Sequence, residues 1–369
     1  MSDLYIGLMS GTSLDGIDGV LADFSGEQMV ATHHASAPFA PALRAELMAL
    51  NTPGNNELHR AALAGNALSR AYADVVHALL KQSGRPATAV RAIGAHGQTV
   101  RHRPQEFDGT GYTLQLGNPA LLAELTGITV VADLRSRDVA AGGQGAPLVP
   151  AFHQGVFGRS NETMLVLNIG GISNLSVLGA DGTVLGFDCG PGNALMDHWC
   201  QLHTGQPFDA GGAWAAQGTV LPALLESLLQ EPFLHRAPPK STGRDLFNPA
   251  WLSSHLVPFG SAAPVDVQAT LTEFTANAFA SSATSYQKDS NVLAVCGGGA
   301  LNRHLMKRLQ AACPTLQVVA TDALGLPALQ VEAAAFAWLA RRALRGLPGN
   351  LPGVTGAAGL RVLGAIYPA

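Results

Sequence analysis

The stretch that decides the fold is residues 4–24, which read LYIGLM-SGTSLDG-IDGVLADF. Two apolar runs flank a turn of Ser, Gly, Thr and Asp residues, a pattern typical of a β-hairpin with small residues at its tip. A second stretch of this kind follows at 164–178, where MLVLN and LSVL flank a turn that begins near Gly170. The repeated pattern suggests two related α/β halves.

Outward from these hairpins, helical patterns alternate with short apolar strands. Apolar residues at helical spacing predict helix between about 41 and 83, and further helices at 221–230, 270–286, 302–312 and 328–345. Asn118-Pro119 before a helix that ends at Gly127 combines a cap, a first-position proline and a terminating glycine. The alternation predicts an α/β protein with largely parallel sheets.

Length predicts about two domains, because a domain usually holds roughly 100–200 residues. For the 369 residues we expect an N-terminal α/β domain over 1–132 and a C-terminal α/β domain over 133–351. The tail at about 352–369 follows a Gly/Pro linker and could rejoin the first domain. The polar, glycine-rich stretch 133–150 is expected to be irregular.

Composition excludes several classes of function. The net charge of −4 and the lack of a long basic run argue against nucleic-acid binding. No segment offers the roughly 20 consecutive apolar residues that a membrane span needs, and the N-terminus lacks the pattern of a signal peptide. The four cysteines form no Cys-x-x-Cys pair, which fits a reducing compartment. A cytoplasmic protein without membrane partners is therefore expected.

The 42 glycines cluster after predicted strands, at 7–16, 170–171, 190–192 and 297–299. Glycine lets the backbone approach a ligand and direct several N–H groups at one anion, so four such clusters favour a phosphate-rich ligand. Each cluster taken alone could simply close a tight turn. None of the four lysines ends a P-loop motif, so a nucleotide would be held through backbone rather than through lysine.

Three kinds of polar residue stand out as candidates for chemistry. Asp188 follows an apolar strand and precedes a glycine turn, where a carboxylate can take a proton from an attacking hydroxyl or water; it could instead cap that turn. Asp15 and Asp18 could orient the first hairpin tip or hold a metal-bound water, although turn capping is the commoner role. His96 ends a strand and is as consistent with a satisfied structural histidine as with a substrate contact.

Ordered motifs over nearly the whole chain resemble the anhydro-N-acetylmuramic acid kinase family. The motifs are GLMSGTSLDGID (7–18), AHGQTV (95–100), QLGN (115–118), DLRSRD (133–138), GGQGAPLVP (142–150), NIGGISN (168–174), FD (187–188), GPGN (190–193), CGGGALN (296–302) and VEAAAFA (331–337). One departure is Cys189, where this family's pattern suggests threonine; a small side chain there should leave Asp188 undisturbed.

The resemblance implies a fold of two actin-like (ribonuclease H-like) α/β domains with a nucleotide cleft between them. It also implies an ATP-dependent kinase of peptidoglycan recycling that opens 1,6-anhydro-N-acetylmuramic acid with water and yields N-acetylmuramic acid 6-phosphate and ADP. The implied cofactors are ATP and Mg²⁺, the implied partner is the small sugar, and a homodimer is expected.

By position, the resemblance makes Asp188 the catalytic base. Arg135, Glu332 and His96 would contact the sugar. The residues implied for ATP binding are Gly11, Thr12, Ser13, Leu14, Asp15, Gly16, Ile17, Asp18, Gly170, Gly171, Gly297 and Gly298. Metal ligands are not assigned.

Two alternatives remain at this stage. One keeps the fold and changes the substrate, to another sugar or a hydroxy acid. The other is an actin-like ATPase that works as a binding or assembly protein, in which Asp188 would position water for slow ATP hydrolysis. Turnover that depends on the anhydro sugar distinguishes the kinase from both.

Overall fold

The computed structural model describes residues 3–11, 14, 16–238, 240–243 and 245–369. These residues separate into two compact units, one formed by 1–156 with 330–369 and the other by 157–329. We call them unit 1 and unit 2. No helix of the described residues has the length and apolarity to cross a membrane.

Unit 1 is built on a six-stranded sheet of order β13-β7-β4-β1-β2-β3. Its strands are β1 (Leu4–Met9), β2 (Gly16–Asp23), β3 (Val30–Pro38), β4 (Val90–Ala95), β7 (Val130–Ala132) and β13 (Ala365–Tyr367). The first three form an antiparallel meander, whereas β4 runs parallel to β1 and β7 parallel to β4. A separate hairpin pairs β5 (Gln98–Pro104) with β6 (Gly111–Leu116).

Helices cover the unit 1 sheet. They are α1 (Pro41–Ala49), α2 (Glu57–Ser83), α3 (Pro119–Thr126), α4 (Ser136–Val139), α5 (Val149–Phe157), α11 (Val331–Leu344) and α12 (Pro352–Thr355). The side chain of Asn118 accepts from Leu121 N at 3.0 Å and Gly127 ends α3 at φ 63°, as the sequence predicts. The single helix predicted for 41–83 is two helices with a turn between them, and the 133–150 stretch contains α4.

Unit 2 repeats the architecture with a five-stranded sheet of order β10-β9-β8-β11-β12. The strands are β8 (Thr163–Ile169), β9 (Ile172–Leu178), β10 (Val184–Pro191), β11 (Ser290–Cys296) and β12 (Gln317–Ala320). The helices are α6 (Ala194–Thr204), α7 (Pro222–Leu229), α8 (Pro249–Leu256), α9 (Pro264–Gln287) and α10 (Arg303–Ala312). An antiparallel meander continued by two parallel strands thus occurs in both units, which confirms the prediction of two related α/β halves.

Two strand glycines bring α11 close to the unit 1 sheet. A Cβ placed on Gly7 would lie 1.8 Å from Ala333 O, and one on Gly94 would lie 2.0 Å from Phe336 O. The helix backbone therefore rests directly on β1 and β4. Gly7 was among the glycines whose clustering suggested phosphate binding, but its lack of a side chain serves helix packing.

The two units divide the chain at 156/157 and again at 329/330. Residues beyond 132 are tied to the C-terminal segment. The buried Asp138 carboxylate accepts from Asn350 Nδ2 at 2.7 Å and from Thr355 Oγ1 at 2.8 Å. Phe152 packs edge-on against Trp338. In the C-terminal tail, β13 pairs antiparallel with β7 of the unit 1 sheet.

Candidate active site

Asp188 lies near the end of β10, where the pairing with β9 shifts register between Asp188 and Gly190. Its Oδ2 accepts from Ser241 Oγ at 2.9 Å and from Thr242 N at 2.9 Å. Its backbone N donates to Lys240 O at 3.1 Å. The segment 240–242 therefore lies along the strand end and fixes one carboxylate oxygen.

The other oxygen, Oδ1, has no hydrogen-bond partner among the residues that the structure describes. Burial raises the pKa of the Asp188 carboxyl, while the donors from Thr242 and Ser241 and the charge of Lys240 oppose that rise. One oxygen is thus fixed and charge-stabilised, and the second is available to accept a proton. This arrangement suits a general base, whose pKa is best placed toward the working pH.

Lys240 anchors the segment that holds Asp188. Its side chain is buried, and Nζ donates to Leu234 O at 3.0 Å and to Ser282 Oγ at 3.3 Å. Nζ also lies 4.9 Å from the centroid of the Phe233 ring. Burial lowers the pKa of this lysine, and the neighbouring Cys189 and Asp188 raise it. Cys189, the departure from the family pattern, is fully buried in the unit 2 core.

The glycines of unit 2 differ in how much room they have. Gly297 has φ 77° and its N–H already donates to Ala328 O, so this N–H is not free for a phosphate. Added Cβ atoms would meet nothing closer than 3.7 Å at Gly170 and 3.4 Å at Gly298. The carbonyl of Gly171 accepts from the N–H groups of Gly192 and Ala194. Of the unit 2 glycines predicted to bind ATP, Gly170 and Gly298 therefore have space for a ligand against the backbone.

The first hairpin tip is described only in part, because Thr12, Ser13 and Asp15 lie outside the described residues. The side chains of Leu14 and Ile17 are in the unit 1 core, which leaves only their backbone for a ligand. The other two described tip residues differ: Gly16 packs closely on β3, where an added Cβ would lie 2.5 Å from Ala37 O, whereas Asp18 keeps an accessible carboxylate. Gly16 begins β2, and Asp18 Oδ1 lies 3.1 Å from His34 Nε2 with the aspartate side chain 46% exposed.

His96 and Arg135 contact each other in unit 1. His96 Nε2 lies 3.0 Å from Arg135 Nη2 and 3.3 Å from its Nε, and His96 Nδ1 lies 3.0 Å from Ser10 O. Arg135 Nη1 donates to Gly145 O at 2.8 Å. Burial lowers the pKa of Arg135 to about 10, and the carboxylates of Glu332 and Asp138 oppose that change. Arg135 remains cationic at neutral pH, in the field of Glu332.

A cavity of about 160 Å³ adjoins this pair in unit 1. His96, Tyr72, Asn118 and Asp133 contribute to its lining. It lies at the carboxyl ends of β4 and β7, the edge of a parallel sheet at which ligands usually bind. Sequence motifs alone did not indicate the contribution of Tyr72.

Sequence reasoning missed the residues that hold Asp188. Ser241, Thr242 and Lys240 are separated from it by more than fifty positions, and they carry no motif of their own. The only sequence signal for this segment is a lysine followed by two hydroxyl residues, a pattern that is not specific enough to predict a contact with Asp188.

Two α/β units and a half-buried carboxylate at a strand end, with one oxygen fixed, are features compatible with a phosphotransferase. The model of the anhydro-N-acetylmuramic acid kinase family matches residues 3–369. The chain belongs to this family, and it is a kinase that uses ATP.

Named relatives agree with the family match. The anhydro-N-acetylmuramic acid kinase of Variovorax paradoxus is 68% identical, over 100% of this chain and 99% of its own length. That of Albidiferax ferrireducens is 63% identical over the full length of both. Among solved structures, an activator of 2-hydroxyisocaproyl-CoA dehydratase from Clostridium difficile with bound ADPNP is similar over 94% of this chain and 96% of its own, at 13% identity and a TM-score of 0.46.

Proposed function

We propose that this chain performs its family's reaction with Asp188 as the general base. The substrates are ATP, water and 1,6-anhydro-N-acetylmuramic acid, and the products are N-acetylmuramic acid 6-phosphate and ADP. The observation that carries the proposal is the asymmetry of the Asp188 carboxylate, whose Oδ2 is held by Ser241 and Thr242 while Oδ1 has no partner among the described residues.

The proposed chemistry couples two bond exchanges. Asp188 Oδ1 accepts a proton from water as the water oxygen bonds to the anomeric carbon. The bond from that carbon to the bridging oxygen breaks, and its electron pair stays on the oxygen that becomes O6. That oxygen attacks the γ-phosphorus, and the bond to the β-phosphate oxygen breaks to release ADP. The leaving alkoxide is thus captured by phosphate.

Arg135 and Glu332 are proposed to bind the sugar. Arg135 stays charged despite its burial, so it suits the carboxylate that the lactyl group of this sugar carries. Glu332 lies in the first turn of α11, and its charge acts on Arg135. A fixed guanidinium near a carboxylate can orient a ligand that has both an acid and hydroxyl groups.

The nucleotide is proposed to bind through backbone rather than through lysine. The described part of 11–18 would approach the phosphates, and the open positions at Gly170 and Gly298 leave space for phosphate and adenosine respectively. Thr12, Ser13 and Asp15 complete this proposed set, as do Gly171 and Gly297.

Magnesium is proposed to accompany the nucleotide. Mg²⁺ usually keeps several waters and binds one or two carboxylates together with substrate phosphates. Asp18 fits that donor set, because its carboxylate is half-exposed and only Oδ1 has a partner among the described residues. Bound there, the metal would neutralise charge on the phosphates.

A cytoplasmic enzyme that forms homodimers and recycles cell-wall sugar is the setting we propose for this activity. Support comes from the family, and from a chain whose charge and composition favour neither nucleic acid nor membrane. Size-exclusion chromatography with light scattering measures the oligomeric state directly.

The decisive experiment compares wild type with Asp188→Asn in heavy-oxygen water. Asparagine can still accept from Ser241 and Thr242, so the fold is retained, but it cannot take the proton. We expect turnover to fall by about 10² to 10⁴-fold, the range of general-base catalysis. The exposed Asp181→Asn is the matched control.

Mass spectrometry of rapidly quenched wild-type product should place the label on the anomeric carbon and leave the phosphate unlabelled. Rapid quenching matters because anomeric oxygen exchanges with water. Near-wild-type turnover of Asp188→Asn would refute the role of the base, and label in inorganic phosphate would favour simple ATP hydrolysis instead.

A further inference from the structure

The hydrogen bonds of His96 fix its protonation state. Its Nδ1 meets the carbonyl of Ser10, which can only accept, and its Nε2 meets the guanidinium of Arg135, which can only donate. The hydrogen therefore sits on Nδ1 and the lone pair on Nε2. Burial and the charge of Arg135 lower the pKa of His96 to about 3, so the ring is neutral. Neither nitrogen remains for a substrate.

On one side, His96 and its neighbours hold the start of the first hairpin tip. The backbone N of His96 donates to Leu8 O at 3.0 Å. Ser10 Oγ donates to Gly97 O at 3.1 Å and pairs with Tyr72 OH at 2.8 Å. Two residues further on, Gln98 Nε2 donates to Gly11 O at 3.1 Å. The turn at 96–98 thus sets the backbone from which the proposed phosphate-binding loop departs.

On the other side, His96 contacts the residues proposed for the sugar. Its Nε2 receives two N–H groups of Arg135. Its ring lies 4.8 Å, centroid to centroid, from the ring of Phe336 on α11. Phe336 is one helical turn after Glu332, so the same helix that packs on His96 carries the second proposed sugar contact.

We infer that His96 is a positioning residue that couples the nucleotide loop to the sugar-binding residues of unit 1, rather than a direct sugar contact. The inference rests on the proposed function and deepens it. Order imposed on residues 10–11 by a bound nucleotide is transmitted through one rigid ring to Arg135. Nucleotide and sugar then bind with positive coupling, and by linkage each raises the affinity for the other by the same factor.

Two substitutions test separately the two hydrogen bonds that the His96 ring makes, one to Ser10 O and one to Arg135. In His96→Asn the amide can still donate to Ser10 O but is too short to reach Arg135. In His96→Gln the amide oxygen can reach Arg135, while the donor to Ser10 is lost. If the ring acts as a bridge, both variants lose the coupling. If it is a direct sugar ligand, both weaken sugar binding by the same factor with and without nucleotide.

The measurement is titration calorimetry of 1,6-anhydro-N-acetylmuramic acid, with and without a non-hydrolysable ATP analogue and Mg²⁺. For wild type we expect the sugar Kd to fall about fivefold or more when the analogue is present, the lower end of typical coupling. For both His96 variants we expect that factor to approach one. His153→Asn is the matched control, because this histidine is equally buried in unit 1 but lies on α5.

Tyr72→Phe tests the same path with a milder change, in case the His96 variants do not fold. It removes the hydroxyl that holds Ser10 Oγ, and we expect the coupling factor to drop at least twofold. An unchanged coupling factor in Tyr72→Phe or in the folded His96 variants overturns the inference. A wild-type enzyme that phosphorylates the sugar without coupling overturns it as well, whereas a wild type that does not phosphorylate the sugar refutes the proposed function.

Discussion

The close approach of α11 to the unit 1 sheet gives a sharp prediction for Gly94→Ala. The new Cβ would lie 2.0 Å from Phe336 O and 3.1 Å from Ala340 Cβ, whereas ordinary contact begins at 3.4 Å. Helix and strand must therefore separate by about 3.4 − 2.0 = 1.4 Å. Since the obstacle is a backbone carbonyl, no side-chain rotation relieves it.

The expected cost follows from overpacking and from the unfolded chain. Inserting a methyl group into a packed core costs about 1–3 kcal/mol, and a backbone obstacle puts this site at the upper end. Replacing glycine returns about 0.4–1 kcal/mol by restricting the unfolded chain. We expect a net loss of about 2 kcal/mol in the local free energy of unfolding, which is roughly a thirtyfold faster amide exchange.

The assay is hydrogen exchange with mass spectrometry on peptides from α11, with peptides from α9 in unit 2 as an internal reference. Gly26→Ala is the control variant, because its Cβ would lie 3.6 Å from the nearest atom, Gln28 O. That variant should stay within about 0.5 kcal/mol of wild type. Exchange in α11 of Gly94→Ala equal to that of Gly26→Ala would contradict the packing argument.

Three further perturbations test the environments of buried charges. Activity should fall as pH drops through the raised pKa of Asp188, because only the carboxylate form accepts a proton. Ser241→Ala removes a donor that lowers this pKa, so the acid limb of the kcat/KM profile should move to higher pH. An unmoved acid limb would contradict the assignment. Lys240→Met should move that limb in the same direction and cost about 1–3 kcal/mol in urea unfolding, since it leaves buried acceptors unpaired. Asp138→Ala should cost about 2–4 kcal/mol because it removes the acceptor of three buried bonds, against little change for the exposed Asp74→Ala; equal stabilities would refute the proposed anchoring.

Local sequence patterns predicted those strands, turns and helices that depend mainly on neighbouring residues. The hairpin at 4–24, the cap at Asn118 and the helices at 221–230, 270–286 and 302–312 follow from apolar period and turn chemistry, and the structure confirms them. The repeated hairpins also revealed the two related sheets.

Long-range contacts account for what the sequence did not predict. The unit boundary depends on Asp138 meeting Asn350 and Thr355, more than two hundred positions away. The sequence grouped Gly7 with the glycines expected to bind phosphate, but the structure shows that the carbonyl of Ala333 on α11 packs against it. His96 was open to a structural or a substrate role, and its partners Ser10 and Arg135 became visible only when three separate stretches met.

The return of residues 330–369 to unit 1 has a consequence for synthesis of the chain. Unit 2 is continuous, so all of 157–329 can emerge and fold while translation proceeds. Residues 3–156 of unit 1 precede unit 2 along the chain, but α11 and β13 follow it, so the surfaces of β1 and β4 that α11 covers stay exposed until residues 331–344 have been added. The order of maturation is thus the reverse of the order of synthesis, and the unfinished sheet of the nascent chain is where a chaperone would be needed.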